Sequence, residues 1–301
     1  MLLKDLVSPV SFSMLPADRE LVQDLQVELA RVGLLDPPAD GDFGPVSLLA
    51  LRTFLAAVRN SLPIGEPVVS ITPQIAKLLM EADPTKLFPV AANSGLAGRI
   101  WRTMEARGYW LNRAPGWTNL IYIEGMNPDG RPNANTPNQF NDVRLVLSHR
   151  SGVPVMLGRW DATTEPGTYY TQHPLNPEGA ARIQFGQYKA WCVGMHDLGR
   201  PGAHEALVQR GTISVCRDGN RDYVRAGDII DTGNSFGVNQ HWGYDMSPNN
   251  IGNASAGCLV GRACAGHREF MAIVKQDPRY VASNSYKFIT TILSSKDLLI
   301  G

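Results

Sequence analysis

The sequence predicts an α+β protein in two parts, a small three-helix bundle followed by a β-rich domain with a few helices. Three observations carry this. Residues 18–82 hold three stretches with apolar residues at helical spacing. From about residue 118 onward, short β-branched and aromatic runs are broken by turn residues. The chain also carries 29 Gly and 21 Pro, a content that favours many turns over long helices.

The first helix lies in DRELVQDLQVELARVGLL, where Leu21, Leu25, Val27, Leu29, Val32 and Leu35 fall near helical spacing, Asp18 is the N-cap and Gly33 the stop. PPADGDFG is turn chemistry, and SLLALRTFLAAV is a second helix opened by Pro45 or Ser47. The third lies in ITPQIAKLLMEAD, capped by Thr72 with Pro73 in its first position. DPTKLFPVAANSGL reads as a connector, and the helix LAGRIWRTMEARGYW opens the second part. Strands are expected in TNLIYIEG, DVRLVLS, VPVMLGRW, GTYYTQ, AWCVGMH, ALVQRGTISVCRD and FGVNQHW, with a last helix in AGHREFMAIVKQDPRY. The expected division is 1–85 helical module, 86–97 linker and 98–301 β-rich domain.

Composition narrows the function classes. Lys+Arg and Asp+Glu both number 28, and this balance argues against a nucleic-acid partner. No run approaches the roughly eighteen apolar residues of a membrane span. The first residues, MLLKDLVSPVSFSML, lack the apolar core of a secretion signal. Cys192, Cys216, Cys258 and Cys264 have no CxxC spacing, so reduced thiols are expected rather than a zinc site or a disulfide framework.

IGNASAGCLVGR is the most informative stretch. Small residues precede Cys258, and Gly257 lets backbone or substrate approach the sulfur. His241, at the end of the strand-like FGVNQHW, is a candidate base for it. A cysteine among small residues is, however, more often inert core. His196 ends another strand and can face the same cleft or serve structurally, while Trp242, Tyr244, Tyr169 and Tyr170 are candidate stacking residues. His241, Asp245 and His267 could be imagined around zinc, but no HExxH occurs. Asp218, Asn220, Asp222 and Asp228 have spacing reminiscent of a calcium loop, yet Tyr223 stands where such a loop needs Gly. A hairpin turn is the simpler expectation there, and no cofactor is required.

Two resemblances sharpen these readings. Leu25-Gln26, Leu29 and Gly33, then Asp40-Gly41-Asp42-Phe43-Gly44, Ala50 and Phe54, resemble the peptidoglycan-binding module of cell-wall enzymes. Ser47 stands where that family usually has Thr, and Leu55 where it usually has Gln. The resemblance implies a wall ligand near Asp40, Gly41, Phe43 and Gly44. His241, thirteen further residues and then Ser255-Ala256-Gly257-Cys258 resemble the site motif of the L,D-transpeptidase (YkuD-like) domain. ATTEPGTYY resembles the segment that precedes that site.

This second resemblance implies a β-sandwich with Cys258 as nucleophile, His241 as base and Gly257, Ser255 and Arg262 beside them. Trp242, Tyr244, Tyr170 and His196 would be the substrate contacts. Ala256 replaces the family's second histidine and the spacing is slightly short, which bears on rate more than on reaction class. The implied activity is acyl transfer on peptidoglycan stem peptides. A Cys258 thiolate would attack, and the acyl group would pass to an amine or to water. A lytic peptidase of other mechanism and a non-catalytic wall or phage-tail component are the alternatives. The implied site of action is the cell wall or periplasm; either the sequence is a trimmed form, or the protein leaves by lysis, a phage particle or an injection apparatus.

Overall fold

The computed structural model describes residues 1–62 and 68–299 and is α+β. Helices α1 (Arg19–Arg31), α2 (Pro45–Ala57) and α3 (Pro73–Glu81) form where their caps predict. Asp18 accepts from the Leu21 N–H at 3.0 Å and Thr72 from the Ile75 N–H at 3.2 Å. Pro45 and Pro73 sit in first turns, where a missing N–H costs nothing. Two short strands, β1 (Val10–Ser11) and β2 (Ser70–Ile71), pair antiparallel beside the helices. Leu21, Leu25, Leu29, Leu51, Phe54, Ile75 and Leu79 meet in one apolar core.

That core also takes in Ala114 and Trp117, beyond the expected linker. The connector carries one turn of helix, α4 (Pro84–Leu87), and is tied down where the Ala91 N–H donates to the Gly152 carbonyl at 2.7 Å. A buried ion network joins the two parts more firmly. Arg279 pairs with Asp36 at 3.1 Å and with Asp277 at 2.6 Å, and it donates to the Thr118 carbonyl at 2.8 Å. Its guanidinium stacks between Trp117 and Tyr286, 5.0 and 4.8 Å from their ring centres. Trp110 and Tyr286 also donate to the Asp36 carboxylate.

Helix α5 (Leu96–Ala106) opens the second part. The strands follow as β3 (Asn119–Glu124), β4 (Asp142–Arg150) and β5 (Val153–Thr163). After the one-turn helix α6 (Thr168–Gln172) come β6 (Ala180–Ile183), β7 (Gly186–His196), β8 (His204–Gln209), β9 (Ile213–Asp218) and β10 (Ile229–Gly233). Next are β11 (Gln240–Trp242), β12 (Leu259–Gly261), helices α7 (Cys264–Lys275) and α8 (Pro278–Ala282), and β13 (Phe288–Ser294).

The expected sandwich is replaced by a closed barrel in the order β11-β12-β5-β4-β3-β13-β7-β8, with β10-β9-β6 as a separate sheet. Closure has two causes. The C-terminal β13 inserts parallel to β3 and antiparallel to β7. The short β11 then pairs β12 on one side and, through Gln240 opposite Leu207, β8 on the other. Strand β3 is buried along its whole length. Leu120 and Tyr122 face the core shared with α7, and Ile121 and Ile123 face the core shared with α5. Burial on both faces explains its continuous apolar run.

GTYYTQ was expected as a strand and instead contains α6. Gly167 packs so closely on the Gly252 carbonyl that a Cβ would lie 2.1 Å from that oxygen, and the segment turns there. ALVQRGTISVCRD divides at Gly211 into β8 and β9.

Candidate active site

Strands β11 and β12 run parallel with His241 opposite Val260. Cys258 stands two residues before Val260, so its level is offset from that of His241 by roughly 6–7 Å at the rise of a strand. Asn239, two residues before His241, points its main-chain N–H at Cys258 Sγ from 3.4 Å. The thiol faces the Gly237 carbonyl at 3.5 Å. Cys258 and His241 both line a cavity of about 440 Å³, together with His196, Asp197, Tyr170 and Tyr244.

The turn that presents Cys258 is tightly specified. The Gly257 N–H donates to Ser255 Oγ at 3.1 Å, and that hydroxyl donates to the Cys258 carbonyl at 3.0 Å. Gly257 adopts a φ of +123°, and a Cβ there would lie 2.3 Å from the Ala181 carbonyl oxygen. Only glycine satisfies both conditions. Ser255 therefore ties the turn from a buried position, and the Gly257 N–H already has an acceptor.

Four imidazoles cluster behind the sulfur. His196 stacks on His241 with centroids 3.8 Å apart and planes 7° from parallel. His204 lies 5.9 Å from His241 and 5.5 Å from His267. Hydrogen bonds fix the ring protons. His241 Nδ1–H donates to the Trp242 carbonyl at 2.7 Å, which leaves Nε2 with a lone pair and no partner among the described residues. His204 Nδ1–H donates to the Gly202 carbonyl while its Nε2 accepts from the Trp242 N–H. His267 accepts from Arg144 at Nδ1 and donates to the Glu205 carbonyl from Nε2.

Electrostatics keep both members of the pair neutral. Burial above all pushes the Cys258 thiol up to about 11, a rise that the Asn239 N–H opposes and Asp197 reinforces. Burial also holds His241 well below its ordinary range, helped by the neighbouring His196. The site thus holds a thiol and an imidazole, both favoured in their neutral forms. A thiol in this state has to lose its proton before or as it attacks an electrophile.

The other predicted residues divide. Tyr170, Tyr244 and His196 line the cavity, as does Ala256. Trp242 does not, because successive strand residues face opposite sides. It lines a different cavity of about 390 Å³ with His204, His267 and Met271. Arg262 is drawn to Asp161 at 3.4 Å and stays outside the Cys258 cavity. Asp245 accepts from the Cys264 N–H, and among the described residues no group of His, Cys, Asp or Glu is arranged to hold a metal ion. In the acidic loop the Asp218 carboxylate accepts the Asp222 and Tyr223 N–H groups, and Asn220 donates to Asp222, which is turn chemistry. Asn239 and Asp197 escaped the sequence reading; the one available signal was that Asn239 shares a strand face with His241.

In the helical module the DGDFG residues serve the turn. Gln26 donates to Asp40 Oδ1 at 2.7 Å and to the Asp42 carbonyl at 3.0 Å, and it accepts from the Gly41 N–H at 2.7 Å. Phe43 packs against the helical core. Asp40 and Gly44 also border a cavity of about 240 Å³ with Lys189 and Lys287.

A buried carboxylate cluster supports the loop before the site. Glu124 takes a two-pronged bond from Arg225 at 2.8 and 2.5 Å, Glu165 pairs with Arg182, and Thr164 donates its hydroxyl proton to Glu124 and its N–H to Asp142. Burial raises Asp142 well above the carboxylate range and Glu165 to about 7, whereas it lowers His267 to about 3. These shifts oppose one another. As pH falls from 6.5, each histidine held neutral costs about 1.4 kcal/mol per unit, because the unfolded chain gains a proton the folded one refuses. Over the same window Asp142 and Glu165 bind protons in the folded state and contribute with the opposite sign. Urea midpoints are therefore expected to be nearly level between pH 6.5 and about 5 and to fall steeply below about 4, where the carboxyl gain is exhausted. A steady loss from pH 6.5 downward would mean that these carboxyls stay ionised.

No protein family and no curated protein matches the chain. A solved structure, described as a fused Zn-dependent amidase/peptidase/peptidoglycan-binding domain-containing protein from Clostridium acetobutylicum, aligns with 90% of this chain and 94% of its own. The identity is 14% and the TM-score 0.25, a likeness that carries no argument about fold or chemistry. Among the described residues no helix is long and apolar enough to cross a membrane.

Proposed function

We propose that the protein is a cysteine acyltransferase of peptidoglycan stem peptides, acting as an L,D-transpeptidase, an L,D-carboxypeptidase or both. One observation carries it: a half-buried thiol in the turn before β12 and an imidazole on β11 whose Nε2 has no partner among the described residues line the same cavity. The resemblance of the helical module to wall-binding modules supports the substrate class.

In the first half-reaction Cys258 Sγ attacks the carbonyl carbon before the terminal D-residue while His241 Nε2 takes the thiol proton. The C–N bond then breaks, and the imidazolium returns its proton to the departing amine. The thioester that forms passes its acyl group to a second amine, giving a cross-link, or to water, giving a trimmed stem. Tyr170 and Tyr244 flank the cavity as faces for the stem. Such a substrate puts the site of action at the cell wall.

The test is incubation with purified disaccharide-tetrapeptide muropeptides, read by mass. Loss of one residue or formation of a dimer is expected, with a transient adduct on Cys258 that is absent from Cys258→Ala. A non-catalytic wall-binding role is favoured by one observation, the thiol held protonated by burial. It becomes the better reading if neither product nor adduct forms.

A further inference from the structure

The bond from His241 Nδ1–H to the Trp242 carbonyl fixes which nitrogen carries the proton, but one hydrogen bond leaves the ring free to rock about that contact. The parallel face of His196, 3.8 Å away, removes this freedom. The remaining ring neighbours, His204 and Tyr244, meet His241 at 57° and 52° with centroids about 6 Å away, too distant and too inclined to hold its plane.

His196 is itself held by a chain of directed bonds. Asn239 Oδ1 accepts from the Gln209 N–H at 2.9 Å, so the amide nitrogen is the atom that turns toward His196. That nitrogen donates to His196 Nδ1 at 3.0 Å. The ring proton of His196 then sits on Nε2, facing the Asp197 carboxylate at 3.5 Å. Asn239 meanwhile directs its own N–H at Cys258 Sγ. One residue thus references both the sulfur and the ring that braces the base.

We propose that His196, fixed by Asn239 and Asp197, is the positioning residue of His241, holding the plane of its imidazole in the cavity that Cys258 also lines. It does not exchange protons with substrate. Its π face also lies against the imidazolium that forms when Nε2 takes the proton. The proposal rests on the acyl-transfer reading for its consequence in rate, but not for its consequence in ring order.

The test compares wild type, His196→Ala and His196→Phe with two readouts: kcat and KM on the tetrapeptide muropeptide, and the ¹⁵N–¹H resonance of His241 Nδ1–H in ¹⁵N-histidine-labelled protein. His196→Ala is expected to lower kcat about 10- to 100-fold with KM little changed, the scale of a small misplacement of a reacting group, and to broaden the Nδ1–H resonance. His196→Phe, which keeps a flat ring on the same face, is expected to restore both. A kcat and a resonance that are unmoved in His196→Ala overturn the proposal, as does a His196→Phe variant as defective as His196→Ala. Absence of turnover in wild type, with the resonance behaving as described, overturns the acyl-transfer reading and leaves the positioning role standing.

Discussion

Cys258 is expected to react slowly with a small alkylating reagent at pH 7 and to accelerate about tenfold per pH unit up to about pH 10, roughly a thousandfold in all. The sign follows from burial, which raises the thiol to about 11, so the thiolate fraction keeps growing across that range. A pre-formed thiolate–imidazolium pair would instead give a rate that levels off near neutral pH. Turnover separates the two more sharply. In His241→Ala, acyl transfer at pH 7 is expected to fall by about 10²- to 10⁴-fold, the range of a lost general base. Alkylation of the same variant at pH 10 is expected to match wild type, because hydroxide then removes the proton. Rates measured by mass on intact protein decide the matter. A pH-independent alkylation rate above pH 6 would rule out the neutral pair.

The second large effect concerns stability. Arg279→Ala is expected to cost about 3–5 kcal/mol, because it leaves charges buried without their partner. Asp36 and Asp277 are 2% and 0% exposed, and both lean on this one guanidinium. The melting temperature should fall by about 5–8 °C. Arg279→Lys retains the charge but not the planar fork that reaches Asp36, Asp277 and the Thr118 carbonyl together, and it is expected to recover only part of the loss. Calorimetry provides the check. A drop of only a degree or two in Arg279→Ala would show that the network contributes little.

Much of the helical part was legible in the sequence because its signals are local. Asp18, Thr72, Pro45 and Pro73 mark helix starts, and leucine spacing marks the buried faces. The barrel was harder to read. Ser283-Asn284-Ser285 and the β-branched run from Ile289 to Ile292 mark β13 locally, but its place between β3 and β7 depends on partners far away in sequence. GTYYTQ has the composition of a strand, but a close contact between Gly167 and Gly252 decides its shape. In the site, Cys258 and His241 stood out through residue type and spacing. Asn239 did not, since its meaning comes from His196 on β7 and Gln209 on β8. The sandwich expectation failed for a similar reason: closure depends on β13 entering between β3 and β7 and on β11 reaching β8 through Gln240 and Leu207.

Sharing Ala114 and Trp117 between the helical core and the chain that leads into the barrel has a mechanical consequence. The two parts cannot swing like a hook on a string; any groove on the helices keeps a constant span to the sulfur. A polymer held at one end would be presented to the other at a set pitch, so the molecule would behave as a caliper. Cutting the chain between residues 85 and 97 would leave the shared core in place, and only pulling the parts apart would expose its leucines and Trp117.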